Sequence, residues 1–144
     1  QALADQGDAR AQYNLGYLHA NGQGVPKDYA RAIEWYTRAA SQGFAAAQFN
    51  LGVLLSSDDG VPPNYAAALS WYRKAADQGD ADARFNLGVA FASGQGVRVD
   101  FVEAFRWYSQ AAAAGHRKAA ATLESLIAEM TPEQLAEAQK PGAG

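Results

Sequence analysis

Few of the 144 residues carry chemistry that could act on a substrate. The two histidines, His19 and His116, are candidate general bases, a role that needs a nucleophile or substrate within hydrogen-bond reach. Neither has an obvious nucleophile beside it in the chain: His19 stands 36 residues before Leu55, in a row with Phe91 and Ile127 that reads as a packing position, and His116 lies near a helix start. Asp58 and Asp59 could face a cation, but a divalent ion takes six or more oxygens, so two adjacent loop carboxylates read as a solvated turn. Gly22-Gln23-Gly24 and Gly94-Gln95-Gly96 look like the opening of a dinucleotide-binding turn. Each follows a helical pattern rather than a strand and lacks the third glycine, which makes them helix-ending turns. With no cysteine there is no thiolate zinc site, disulfide or cysteine nucleophile. Ser-x-x-Lys, His-Glu-x-x-His and phosphate-loop motifs are also absent from the sequence. The expectation is a protein without catalytic residues, metal or cofactor.

Charge narrows the partners. Twelve Lys and Arg stand against 15 Asp and Glu, a net charge of −3 with an isoelectric point near 5.3. That balance gives no electrostatic footprint for a phosphate backbone, so nucleic acid is not expected. No apolar stretch approaches the roughly 20 residues that span a bilayer, so no membrane insertion is expected. The compartment stays open.

The elements that must position any site follow from composition and period. Alanine accounts for 33 residues, whereas Leu, Ile, Val and Phe together number 26. Alanine is the strongest helix former and lets helices approach closely, which points to an all-α fold. Trp35, Trp71 and Trp107 are 36 residues apart, as are Tyr36, Tyr72 and Tyr108, and Gly7, Gly43, Gly79 and Gly115. A fixed period of that length marks a helical repeat array. The units run 4–39, 40–75 and 76–111 after a remnant at 1–3, followed by a half repeat at 112–130 and a capping helix with tail at 131–144, all in one repeat domain. In each unit, helix A carries an apolar stripe such as Ala11, Leu15 and Leu18, and helix B carries Ala32, Trp35 and Ala39. Gly22 ends the first helix A, Val25 plugs the junction, and Asp28, Asn64 and Asp100 cap successive helices B. Asp58 replaces the first loop glycine of the second unit, before Pro62-Pro63.

Leu15-Gly16, Gly22-x-Gly24-Val25, Asp28, Ala32, Trp35-Tyr36 and Ala39-Ala40, with their echoes 36 residues on, resemble the Sel1-like repeat family, a branch of the tetratricopeptide-type repeats. The resemblance implies a right-handed α-solenoid acting as an adaptor or scaffold in signalling, protein quality control or bacterial envelope and host-interaction processes. Cysteine-rich relatives linked to β-lactam chemistry are a poor guide here, since both Cys and Ser-x-x-Lys are missing. Gly24, Gly60 and Gly96 belong to the structural signature with the three tryptophans.

Residues shared by every unit read as packing: the Trp-Tyr pairs as core or inter-repeat contacts, and Asn14, Asn50 and Asn86 as structural hydrogen bonds or a ladder for peptide backbone. Glu34 with Arg38 and Asp80 with Arg84 have the spacing of helix-supporting ion pairs. By resemblance, helices A line a concave face carrying Arg10, Tyr13 and Tyr17, then Ala46, Phe49 and Val53, then Asp82, Phe85 and Val89. Such a face would hold a peptide or helix by apolar anchors with charges at its rim. The same rings could instead pack between helices. The expected function is a non-catalytic protein-interaction module, a monomer rather than an oligomer; the alternatives are an envelope-associated hydrolase and an architectural spacer. Residues 1–7 align with 37–43, so the chain is expected to open in the last turn of a helix B and to be part of a longer protein. Thr131-Pro132-Glu133-Gln134 has the pattern of a helix start, and Leu135 and Ala138 are expected to cover the last helix A.

Overall fold

Aspartate and asparagine side chains set most of the helix starts in the computed structural model, which describes residues 2–57 and 62–140. Helices occupy most of this span, and there is no strand among the described residues. The chain forms two compact units, 1–78 and 79–144.

The first unit contains α1 (Ala2–Asp5), α2 (Ala9–Asn21), α3 (Tyr29–Ser41), α4 (Ala45–Ser56) and α5 (Tyr65–Asp77). Asp8 accepts from the Ala11 amide at 2.8 Å, Asp28 from Arg31 at 3.1 Å and Asn64 from Ala67 at 3.1 Å. Each occupies a free donor of a first helical turn. Gly22 ends α2 at φ +68, the left-handed C-cap that its position in the sequence requires. The loop then returns on itself, since the Asp28 amide donates to His19 O at 2.8 Å, and the Asn64 amide does the same to Leu55 O. The Asp58, Asp59, Gly60 and Val61 expectations lie outside the described residues.

Packing alternates along the chain: α3 lies against α2 and α4, and α4 against α5. Alanine makes this possible, because Ala32, Ala39, Ala47, Ala68 and Ala75 are at most 1% exposed. Tyr36 and Leu51 are the largest fully buried side chains of the unit. A relay of glutamines crosses it. Gln12 Nε2 donates to Ala4 O and Gln42 Nε2 to Gln12 Oε1; one repeat later Gln48 Nε2 donates to Ala40 O and Gln78 Nε2 to Gln48 Oε1. Gln12 and Gln48 are both buried, so these bonds satisfy groups that water does not reach.

The second unit holds α6 (Ala81–Ser93), α7 (Phe101–Ala113), α8 (Ala119–Glu129) and α9 (Pro132–Gln139). Asp80 and Asp100 cap α6 and α7, Gly94 closes α6 at φ +79, and the Asp100 amide donates to Phe91 O. Thr131 and Gln134 form the reciprocal capping box that starts α9. One expectation changes here. Helix α9 packs on α7, a helix B, rather than on α8, the last helix A. Arg106 of α7 donates to Glu137 O, and Ala138 is 5% exposed.

Candidate functional site

The rings of helices A and B interlock before any surface forms. Tyr36, Tyr72 and Tyr108 are nearly fully buried, whereas of the tryptophans beside them only Trp35 is buried and Trp71 and Trp107 are half-buried. Tyr13 lies 5.7 Å from Tyr36, Phe49 5.8 Å from Tyr72 and Phe85 5.4 Å from Tyr108, each pair tilted. Tyr13, Phe49 and Phe85, expected on a binding face, therefore form a half-buried layer whose inner side is committed to packing. Helix B turns another face outward, where Arg38 and Lys74 place their cationic ends 4.7 and 4.6 Å from the ring centres of Trp35 and Trp71. Arg38, expected to pair with Glu34, is thus stacked on an indole.

One turn further along helix A the side chains reach solvent. Tyr17 is 44% exposed and Val53 39%. The two line one open groove of about 200 Å³ with Ala20, Asn21, Tyr36, Asn50 and Leu54, between α2 and α4 above α3. Its walls are apolar and its floor is polar. Asn50 Nδ2 donates to the Tyr13 hydroxyl oxygen at 3.2 Å and to that of Tyr36 at 3.4 Å. Burial pushes the Tyr36 phenol up from 10.0 to about 12, against the opposing hydrogen bond from Asn50, so it stays protonated and keeps a proton to donate. No charged side chain lines the groove.

The rim charges are engaged within the chain. The Arg10 guanidinium lies 6.0 Å from the centre of Phe44, and Asp82, its counterpart two repeats on, lies 3.2 Å from His116 Nε2. In the second unit Phe85 stacks on His116 at 4.2 Å, and Val89 packs beside it in the cluster around Phe91, Tyr108 and Leu126. His116 Nδ1 accepts from the Lys118 amide at 3.2 Å. Both imidazole nitrogens are engaged by contacts within the chain. Gly24 and Gly96 both adopt φ +76 in their loops, and Gly60 lies outside the described residues.

Sequence reasoning placed Tyr17 and Val53 on the surface but missed Asn21 and Leu54 of the groove, and His116 beside Phe85. Asn21 carries no repeat signal, because Ser57 and Ser93 stand at its equivalents. His116 did carry one: it continues the row Asp8, Phe44 and Asp80.

No helix among the described residues is long and apolar enough to cross a membrane. A comparison with curated proteins finds no match. Among solved structures, the chain is similar to c5321, a protective antigen of uropathogenic Escherichia coli strains displaying an SLR fold, with TM-score 0.84 and 40% identity over 88% of this chain. It is also similar to a Sel1 repeat protein from Oxalobacter formigenes, with TM-score 0.76 and 42% identity over 82% of this chain. It spans 27% of the first protein and 49% of the second, so it matches less than half of either. The Sel1 repeat model matches residues 9–44, 45–80 and 81–116, the same 36-residue period cut at a different phase. With more than half of its length matched, the chain belongs to the Sel1 repeat family.

Proposed function

We propose that this chain is a non-catalytic interaction module that holds a peptide or helix of a partner protein against its helix A surface. Sel1 repeat proteins are generally protein-interaction scaffolds and generally non-enzymatic. The observation that carries the finer reading is the α2–α4 groove, where Tyr17 and Val53 stay exposed over a floor of satisfied polar groups. An exposed aromatic beside an aliphatic residue is the composition of an interface anchor. The groove has no charged lining, which favours an apolar anchor from the partner.

The test is capture of a partner by the intact protein, followed by Tyr17→Ala and Val53→Ala in the purified complex. An anchor should lose roughly tenfold or more in affinity, with an unchanged circular dichroism spectrum. Normal folding with wild-type affinity in both variants would move the site to the helix B surface.

A further inference from the structure

Position 116 is filled differently from its repeat equivalents. Asp8 and Asp80 cap the helices that follow them, and Phe44 makes no capping bond but lies 5.3 Å from Tyr13 of the preceding helix A. His116 takes the place of Phe44 against the preceding helix A, with its ring centre 4.2 Å from that of Phe85 and the planes 12° apart. A phenyl ring would suffice for that. The imidazole adds two polar contacts: Nε2 lies 3.2 Å from Asp82 Oδ1 of α6, and Nδ1 accepts from the Lys118 amide at the start of α8. Helix α8 has no other side-chain cap, since its N-cap residue is Lys118. The histidine side chain is 13% exposed, while Asp82 is 65% exposed and Lys118 lies at the surface, so both contacts sit at the edge of solvent.

Only one protonation state satisfies both contacts. A neutral ring with its proton on Nε2 donates to the carboxylate and accepts the amide; a second proton on Nδ1 sets donor against donor. Asp82 of α6 contacts the ring, and Arg117 and Lys118 are the charged residues that follow it in the chain; Tyr108 of α7 packs on Phe85. Protonation therefore strengthens the hold on Asp82 and abolishes the hold on Lys118. Histidine is the side chain that changes charge between about pH 5 and 8.

We propose that His116 is a proton-operated latch: neutral, it ties the Lys118 amide at the start of α8 to α6; protonated, it frees that amide while gripping Asp82 and Phe85. Any consequence for partner binding rests on the proposed interaction function. The latch itself does not, and is tested on the free protein.

The experiment is nitrogen-detected NMR of the intact chain between about pH 8 and pH 5. At the upper end His116 should show the Nε2–H tautomer, with a through-hydrogen-bond coupling between its Nδ1 and the Lys118 amide. On acidification that coupling should vanish, and the Lys118 amide should shift in step with the ring. An Nδ1–H tautomer, or a Lys118 amide that stays unchanged while the ring titrates, overturns the latch. His116→Phe, which copies Phe44, should keep the stack and remove the pH dependence of the α8 amides; persistence of that dependence also overturns it. If this variant fails to fold, the wild-type tautomer and coupling decide alone. Failure of the partner reading shows elsewhere, as unchanged affinity on replacing Tyr17 and Val53.

Discussion

A Cβ atom on Gly16 would come within 2.6 Å of Tyr36 Cδ1, closer than real Cβ contacts allow. The relationship recurs at 2.6 Å between Gly52 and Tyr72 and between Gly88 and Tyr108. These glycines sit inside helices, where the residue costs about 1 kcal/mol relative to alanine, so close approach of the tyrosine ring is the reason for them. The pair is the internal lock of every repeat.

Gly52→Ala should therefore destabilise the protein in spite of its better helix propensity. Overpacking costs typically about 1–3 kcal/mol, more than the roughly 1 kcal/mol gained in the helix. Urea unfolding measures the balance, and a stabilised variant would contradict the contact.

The glutamine relay gives a second expectation. Gln48→Leu removes the side-chain bonds to Ala40 O and from Gln78 Nε2, while Ala40 O keeps the Gly43 amide and Gln78 Nε2 keeps Gly43 O, so the loss is that of ordinary hydrogen bonds, about 0.5–1.5 kcal/mol each. The loss should appear as a lower urea midpoint. Glu34→Ala, on an exposed position of α3, should leave the midpoint nearly unchanged.

Alkaline pH should unfold the chain partly through Tyr36. Its folded phenol is raised from 10.0 to about 12 by burial, so between those values the unfolded chain has lost a proton that the native one keeps. The native state binds more protons there, and stability falls as pH rises through that window. Tyr108, raised by burial as well, acts in the same direction. Tyr36→Phe should flatten the pH dependence of the urea midpoint between pH 10 and 12.

Helix α9 should contribute stability through its contact with α7. Removing residues 131–144 uncovers Arg106 and the surface against Ala138, so the melting temperature should fall and association should increase. An unchanged melting curve and an unchanged monomer profile in light scattering would show that α9 covers nothing of consequence.

The sequence by itself determined the period, the helix count per repeat and most helix starts. Asp8, Asp28, Asn64, Asp80, Asp100 and Thr131 each accept an amide three residues ahead, a bond legible without knowing the rest of the fold. The left-handed turns at Gly22 and Gly94 are local in the same sense. Tertiary structure decided everything that depends on how far one helix is rotated about its axis against the next. Gln12 meets Gln42 across 30 residues, and Asp82 meets His116 across 34, through packing that no local preference encodes. The same packing sent tyrosine deeper than tryptophan, laid α9 on α7 instead of α8, and left Tyr17 and Val53 exposed above an aromatic layer. Capping is a matter of residues in one turn; the groove and the latch are a matter of helices meeting.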